Sequence, residues 1–386
     1  MAFRTVAGER PAWWDEGDGA RWTAAPDRTS AGEPMGTVTG TTAEAEQGLP
    51  VVVFGAYGHT GRFVVAELRR RGFTPVLCGR GAGKLAAMAR ETGLEARAAS
   101  VDDPAALDRA LAGAAAVVNC AGPFAVTAAP VIEAALRAGV PYLDVAAEIE
   151  ANADTFARFA DRAREAGVVV VPAMAFFGGL GDLLATAALD GGTAAEEVRV
   201  GYALSGWHPT AGTRAAGAVS RERRDGRRVR FARGRLEYRD DAPPVREWAF
   251  PAPWGTRQVI GEFTMADVVT LPSHLSVPEV STAMTVEAAR DVVAVDTPAP
   301  GAVDAQGRSA QTFLVDVVVR ADGTERRAVA RGRDIYAVTA PLVVEAVARV
   351  LSGRTRVAGL ASAGAMFDAP DFLRALGPDL TWERLS

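Results

Sequence analysis

The stretch Val51-Val52-Val53-Phe54-Gly55-Ala56-Tyr57-Gly58-His59-Thr60-Gly61-Arg62 decides the fold of this chain. Its four apolar residues predict a buried parallel β-strand, and residues 63–68 have helical periodicity. A strand that turns directly into a helix leaves the first N–H groups of that helix free to bind an anion. Gly55 suits a tight turn, Gly58 the close approach of a diphosphate, and Gly61 a contact between helix and strand. The stretch predicts a dinucleotide-binding turn, and a purely structural turn is the alternative.

The next predicted strand, Thr74-Pro75-Val76-Leu77-Cys78, indicates which dinucleotide binds. In such sheets the end of the second strand lies beside the adenosine ribose, where an acidic residue would bind the 2′-hydroxyl of NAD(H). This chain has no acidic residue there, and Arg80 follows Gly79 instead. Because a guanidinium matches a phosphate in charge and geometry, Arg80 favours NADP(H). A solvated loop arginine is the alternative.

Composition is typical of a globular protein and excludes several classes. The 386 residues can hold two domains, and 49% are hydrophobic and 23% charged. A net charge of −5 gives no general attraction to nucleic acid, so no nucleic-acid partner is expected. No apolar run of about 18 residues predicts a membrane span. Residues 2–18 lack the apolar segment of a secretory signal, so the cytoplasm is the expected compartment.

The residue types in the sequence do not support a metal site or hydrolase chemistry. Three scattered histidines and two separated cysteines are too few for a metal-ligand cluster, so no metal is expected. Cys78 and Cys120 fall at the ends of predicted core strands, which favours buried thiols over a disulfide. We find no Ser/His/Asp or Cys/His arrangement.

Four segments differ in pattern. Residues 1–48 have no sustained period and predict a flexible N-terminal extension, although it contains Trp13, Trp14 and Trp22. These tryptophans either dock on the protein or a neighbouring subunit, or belong to a mobile tail.

Strands and helices alternate over residues 49–190, which predicts a Rossmann-type doubly wound parallel sheet in an α/β fold. Residues 191–330 predict a second α/β domain with a largely antiparallel sheet, for substrate binding or oligomerisation. Its strands include 198–204 and 313–320, with a hairpin around Arg233-Gly234. Residues 331–386 predict C-terminal helices that return to the Rossmann domain.

Ligands of open α/β sheets bind at the carboxyl ends of the strands. The segment Asn119-Cys120-Ala121-Gly122-Pro123-Phe124 ends there, and we expect it to shape the nicotinamide side unless it is an ordinary turn. Asp144 and Glu148 also lie there, and each either binds substrate or ribose or caps a helix. The predicted cofactor-binding residues are Gly55, Tyr57, Gly58, His59, Thr60, Gly61, Arg62, Arg80, Asn119, Ala121, Gly122 and Pro123.

The catalytic proton donor is not assigned. The candidates are Tyr57, Tyr142, His208 and His274, because a phenol or an imidazole can transfer a proton. Each is equally explained as an ordinary hydrogen-bonded residue. The glycine-rich segment 176–182 either faces the cofactor or forms a tight turn between domains.

Several segments together resemble the saccharopine dehydrogenase-like family of NADP-binding oxidoreductases, which includes trans-acting enoyl reductases. The segments are 55–62, 78–80, 119–124, 130–135, 139–145 and 332–341. The resemblance implies a Rossmann domain, a mixed α/β second domain and hydride transfer with NADP(H). The chain departs from the family pattern at 146–148 and at 175–179. Both lie on the expected substrate side, so the substrates of the family are not carried over to this chain. Saccharopine dehydrogenase activity itself is not expected, because an amino-dicarboxylate needs a cluster of basic anchors and we assign none.

The sequence therefore predicts an NADP(H)-dependent oxidoreductase. We expect it to reduce a C=C or C=N bond of a small or carrier-bound metabolite in secondary or lipid metabolism. The alternative is a non-catalytic NADP-binding sensor or scaffold protein with the same fold, whose pocket is filled by Phe176, Phe177 or the N-terminal tryptophans. The sequence does not decide whether the protein forms a homodimer.

Overall fold

The computed structural model describes residues 48–385. The predicted N-terminal extension, with Trp13, Trp14 and Trp22, lies outside the described residues except for Gly48. No helix within the described range is both long and apolar enough to cross a membrane.

The first sheet is parallel and has the strand order of a dinucleotide-binding fold, β3-β2-β1-β4-β5-β6. Its strands are β1 (Pro50–Phe54), β2 (Thr74–Gly79), β3 (Ala96–Ala98), β4 (Ala116–Asn119), β5 (Tyr142–Asp144) and β6 (Val170–Val171). The crossovers carry α1 (His59–Arg70), α2 (Ala82–Thr92), α3 (Pro104–Leu111), α4 (Phe124–Ala138) and α5 (Ile149–Ala166). The chain order reverses between β1 and β4, which confirms the predicted Rossmann-type sheet and sets its ligand crevice.

Two helices begin earlier than their periodicity predicts. The helical periodicity of the sequence predicts helices over 129–138 and 153–166, but α4 begins at Phe124 and α5 at Ile149. The N–H of Phe124 donates to Glu148 Oε1 at 2.9 Å, so a carboxylate 24 residues away caps α4. A cap that comes from a distant residue leaves no local mark in the sequence.

The second sheet has nine strands within the described residues, in the order β10-β11-β12-β7-β13-β14-β15, with a β8–β9 hairpin attached to β12. The strands are β7 (Glu197–Leu204), β8 (Arg228–Ala232), β9 (Arg235–Arg239), β10 (Val245–Phe250), β11 (Gly255–Gly261), β12 (Val280–Thr285), β13 (Thr312–Ala321), β14 (Thr324–Arg333) and β15 (Leu380–Leu385). Strands β12 and β7 pair in parallel, and the other pairings given for this sheet are antiparallel. The predicted largely antiparallel second sheet is therefore confirmed.

The β10–β11 hairpin folds across one face of this sheet. Trp248 Nε1 donates to Asp316 Oδ2 on β13 at 2.7 Å. The Trp248 ring lies over Gly201 of β7, where an added Cβ would come within 2.6 Å of it. Gly201 is required here by the close approach of an indole ring.

The opposite face packs on helices. Helix α6 (Gly181–Leu189) contacts β13 and β14 on this face. The other helices in this half of the chain are α7 (Ala211–Arg223), α8 (Asp267–Thr270), α9 (Val286–Val293), α10 (Thr339–Leu351), α11 (Ala363–Met366) and α12 (Ala369–Ala375). Of these, α7 contacts α4 and α5 beside the first sheet. Residues 176–180 form a π-helical turn before α6. One continuous hydrophobic core contains side chains of β1, α6, β7, β13 and α10, so the two sheets share it.

The last segment of the chain contacts both sheets. Helix α10 packs on α1, as expected of a returning helix. Strand β15 instead pairs with β14 in the second sheet. The expectation of helices alone over 331–386 missed this strand, although the spacing of Leu380, Trp382 and Leu385 among polar residues is close to a strand alternation.

A chain of alternating charges fixes α10 on α1. Glu67 on α1 binds Arg71 at 2.6 Å, and Arg71 binds Glu345 on α10. Glu345 binds Arg349 at 2.7 Å, and Arg349 binds Asp371 on α12 at 2.8 Å. The Arg349 and Glu345 side chains are only 3% and 7% exposed, whereas Asp371 at the end of the network is 50% exposed, so the centre of the network is buried.

Candidate cofactor site and adjoining cavity

The turn after β1 has the geometry of an anion cradle. The N–H groups of Gly55 and Ala56 donate to Cys78 O at 2.8 and 3.2 Å, and Gly58 N–H donates to Gly55 O at 2.9 Å. Helix α1 begins after Gly58 without a side-chain cap, so its first N–H groups remain available. An added Cβ on Gly61 would lie 2.3 Å from Gly55 O, so the backbone excludes any side chain there.

Two of the predicted cofactor segments meet at this turn. Gly55 has a φ of +89°, and an added Cβ would lie 2.9 Å from the backbone N of Ala121. The turns after β1 and β4 are therefore in contact across the switch point of the sheet. The turn fits a dinucleotide diphosphate, because Gly55 and Gly61 let its backbone close tightly and the first N–H groups of α1 have no side-chain cap.

The end of β2 presents cations. Tyr57 accepts a hydrogen bond from Gly81 N–H at 3.1 Å, and its ring packs against Gly79, which fixes the backbone on both sides of Arg80. Arg80 is exposed and has no ion pair or hydrogen bond to any residue of the range 48–385. Lys84, the only lysine of the chain, lies 5.6 Å from the centre of the Tyr57 ring. Sequence reasoning missed Lys84, although its position in the first turn of the helix after Arg80 was a usable signal.

A buried polar network supports the turn after β4. Asn119 Nδ2 donates to Tyr142 and to Thr127, both at 3.2 Å, and Asn119 Oδ1 accepts from Ala121 N–H at 3.0 Å. Tyr142 donates to Asp144 Oδ2 at 2.8 Å. Burial raises the pKa of Tyr142 well above its ordinary value. Tyr142 thus lies inside the sheet, where its hydroxyl orients Asn119.

The two carboxylates at the end of β5 and in the loop after it accept hydrogen bonds from backbone N–H groups. Asp144 accepts from the N–H groups of Ala146 and Ala173 at 3.0 and 2.8 Å, and Glu148 caps α4 as described above. Burial, with a smaller contribution from the nearby Asp144 and Glu150, raises the pKa of Glu148 to about 7. The sequence predicted that Glu148 either binds substrate or ribose or caps a helix, and in the structure it caps α4.

The predicted histidines lie in different places. His274 Nε2 is 2.6 Å from Asp182 Oδ1, and Asp182 also accepts from Gly364 N–H at 2.8 Å, so this pair joins α6 to α11. His208 is exposed and precedes α7. His59, at the start of α1, packs edge-on against Tyr336 at 5.2 Å between ring centres. Burial lowers the pKa of His59.

A cavity of about 350 Å³ opens between residues 205–208, residues 300–311 and Tyr336. Its lining includes His208 and Tyr336. The Tyr336 hydroxyl accepts from Trp207 Nε1 at 3.0 Å and lies 2.9 Å from Thr213 Oγ1. Sequence reasoning placed Tyr336 in a family-like segment but did not assign it to a site. Its contact with His59 joins the cavity to the start of α1.

Phe176 and Phe177 do not line this cavity. Both are buried, with 1% and 6% of their surface exposed. Phe176 packs on Phe313 and Phe177 on Tyr202, at 4.8 and 4.9 Å between ring centres. They belong to the core between the two sheets.

Comparison with known proteins agrees with this geometry. Residues 51–171 match the model of the saccharopine dehydrogenase NADP binding domain. A probable mitochondrial saccharopine dehydrogenase-like oxidoreductase of Arabidopsis thaliana is 30% identical over 142 residues, which are 33% of this chain and 31% of that protein. The human saccharopine dehydrogenase-like oxidoreductase is 27% identical over 145 residues, 33% of this chain and 34% of its own length. The match thus spans about a third of these relatives.

Over most of the chain, the similarity to a solved structure is a similarity of fold. Apo saccharopine dehydrogenase (L-Glu forming) of Saccharomyces cerevisiae superposes with a TM-score of 0.60 over 88% of this chain and 100% of that one, at 13% identity. The Arabidopsis relative is named as mitochondrial, and the cytoplasm stays a prediction for this chain. Over residues 51–171 the chain carries an NADP-binding domain of the saccharopine dehydrogenase type, which confirms the family resemblance and the cofactor predicted from its sequence.

Proposed function

We propose that this protein is an NADP(H)-dependent reductase that acts on a C=C or C=N bond of a small or carrier-bound metabolite. The observation that carries the proposal is the cradle at the switch point, where glycines that exclude side chains precede an uncapped helix. The proposed acceptor class and the proposed role in secondary or lipid metabolism rest on the family resemblance. The proposed cytoplasmic location rests on the sequence alone.

Each part of the cofactor has a matching group in this chain. Residues 55–62 would hold the diphosphate against the N-terminus of α1. Arg80, whose guanidinium is unpaired within the described residues, would bind the 2′-phosphate, with Lys84 as a second cation. Asn119 and residues 121–123 would border the nicotinamide side.

When bound, the nicotinamide supplies the hydride, and the protein contributes position and electrostatics. The polar network of Asn119, Tyr142 and Asp144 would keep the turn after β4 in one conformation. Of the four predicted proton donors, His208 lines the cavity, whereas Tyr57, Tyr142 and His274 are engaged elsewhere. We therefore favour His208 as the donor.

A pocket filled by Phe176, Phe177 or the N-terminal tryptophans would favour the non-catalytic alternative, and the tryptophans lie outside the described residues. Phe176 and Phe177 pack in the core, and a cavity is present beside Tyr336. These observations favour the enzyme over a sensor or scaffold protein.

A fluorescence titration with NADPH and with NADH tests the proposal. We expect Arg80→Glu to weaken NADPH binding by roughly tenfold or more, since hydrogen bonds to charged groups contribute about 1.5–3 kcal/mol. NADH binding should change little. The matched control is Arg90→Glu, the same charge change at an exposed position in the last turn of α2. An unchanged preference in Arg80→Glu refutes the assignment of Arg80, and binding of neither dinucleotide by the wild type refutes the proposed function.

A further inference from the structure

Arg80 lies between glycines, in the loop that joins β2 to α2. Gly79 precedes it, and Gly81 and Gly83 follow it. Because glycine has more backbone freedom than any other residue, a loop of this composition does not by itself hold Arg80 in one place. The Arg80 side chain has no hydrogen bond or ion pair within residues 48–385 that would hold it. A cation that binds a phosphate from this loop therefore needs an anchor from outside the loop.

Tyr57 supplies that anchor from the turn after β1. Its hydroxyl oxygen accepts a hydrogen bond from Gly81 N–H at 3.1 Å. An added Cβ on Gly79 would lie 3.0 Å from Cε1 of the Tyr57 ring, and one on Gly81 would lie 3.1 Å from the hydroxyl oxygen. The residues on both sides of Arg80 are therefore in contact with one side chain.

The same ring contacts a second cation. Lys84 Nζ lies 5.6 Å from the centre of the Tyr57 ring, which is within the range of a cation–π attraction. Lys84 belongs to the first turn of α2, and this helix begins without a side-chain cap, so its first N–H groups also favour an anion. Tyr57 thus contacts the backbone beside one cation and the side chain of the other.

Tyr57 belongs to the diphosphate turn, and this turn is bonded to the end of β2. The N–H groups of Gly55 and Ala56 donate to Cys78 O at 2.8 and 3.2 Å. Together with the bond from Gly81 to Tyr57, these bonds join the two loops. The Tyr57 side chain therefore sets where the Arg80 loop lies relative to the diphosphate turn.

We propose that Tyr57 is a positioning residue that gives this protein its preference for NADP(H) over NAD(H). It holds the Arg80 loop and Lys84 in place before the cofactor binds, so that the 2′-phosphate meets cations that are already ordered. NAD(H) has a hydroxyl at this position and gains much less from them. This inference rests on the proposed function for the assignment of Arg80 to the 2′-phosphate.

The test is a fluorescence titration of the full chain with NADPH and with NADH, for the wild type and for Tyr57→Phe. Phenylalanine keeps the ring but leaves Gly81 N–H without its acceptor. We expect NADPH binding to weaken by roughly three- to tenfold, the effect of one hydrogen bond, and NADH binding to change by less than about twofold. A residue that only stabilised the turn would weaken the binding of both dinucleotides equally.

Two further variants serve as a control and as a test of the mechanism. Tyr202→Phe removes a hydroxyl that donates to Asp267 Oδ1 at 2.8 Å in the core, and it should lower stability without changing the preference for NADPH. Arg80→Ala removes the group that Tyr57 is proposed to position. In that background Tyr57→Phe should weaken NADPH binding by less than about twofold, because effects that act through one shared group are not additive.

The outcomes separate this inference from the proposed function. A loss of NADPH preference in Tyr57→Phe that disappears in the Arg80→Ala background supports the inference, even if the protein reduces no acceptor. An unchanged preference in Tyr57→Phe, an equal weakening of both dinucleotides, or a loss of the same size in both backgrounds overturns the inference and leaves the proposed function standing. If Arg80→Ala itself keeps the wild-type preference, the assignment of Arg80 fails and the inference fails with it.

Discussion

Removal of Glu345 should destabilise the protein far more than removal of an exposed carboxylate. In Glu345→Ala, Arg349 keeps only Asp371 as a partner and Arg71 keeps only Glu67. Breaking a buried ion pair from one side costs about 3–5 kcal/mol, because it leaves a buried charge uncompensated. Since each arginine retains one carboxylate, we expect a loss near the lower end, about 3 kcal/mol.

The assay is urea unfolding of the full chain, followed by circular dichroism, with the wild type and Glu345→Ala compared at neutral pH. Alanine is a strong helix former, so a loss of helix propensity in α10 does not explain the result. The matched control is Asp108→Ala, which removes the partner of Arg137 from a 2.7 Å pair whose side chains are 46% and 48% exposed. It should cost less than about 1 kcal/mol.

A second variant separates charge from shape. Glu345→Gln keeps the size of the side chain but loses the charge, so we expect a loss between those of the alanine variant and the control. If Glu345→Ala lost no more stability than Asp108→Ala, the network would not hold α10 on α1, and our account of this interface would be wrong.

Three further substitutions test other parts of the structure. Gly61→Ala should abolish NADPH binding in a titration because its Cβ would lie 2.3 Å from a backbone oxygen, whereas Gly83→Ala, with nothing within 4 Å, should bind normally. Glu148 keeps its proton to a pH of about 7 when folded, against an ordinary pKa of 4.5, so the wild type loses stability as the pH rises through this window. The glutamine in Glu148→Gln does not ionise. The unfolding free energy of this variant, measured relative to that of the wild type, should therefore rise by up to about 3 kcal/mol between about pH 5 and about pH 8. A difference that stays constant with pH would contradict the burial of this charge. Trp248→Phe leaves Asp316 one donor short and should lower the unfolding free energy by about 1–3 kcal/mol, and no change would mean that the hairpin is not anchored there.

Local pattern was enough to predict the first sheet and its cofactor turn. Val51–Val53 are β-branched and buried, and the glycines that follow occupy positions where a side chain meets backbone atoms. Arg80 could be proposed as a 2′-phosphate ligand because the end of β2 lies beside the ribose in folds of this kind. These features depend on residues that are close together in the chain.

The rest depends on contacts between distant residues. Glu148 caps a helix that begins 24 positions earlier, and Tyr336 contacts His59 although most strands of the second sheet lie between them in the sequence. Tyr142 resembled a proton donor in the sequence because nothing local shows that its hydroxyl is enclosed by Asn119 and Asp144. The cavity could not be predicted for the same reason, since its walls come from three separate segments.

The contact between α1 and α10 also matters while the protein is being made. Glu345 follows its partner Arg71 by 274 residues. At 5–20 residues per second, a ribosome needs about 15 to 55 seconds to add that interval. During this time the first sheet can form, but one side of α1 and the buried charge of Glu67 lack the helix that covers them. The nascent chain should therefore depend on chaperones over this interval, and a fragment that ends near residue 190 should be prone to aggregate.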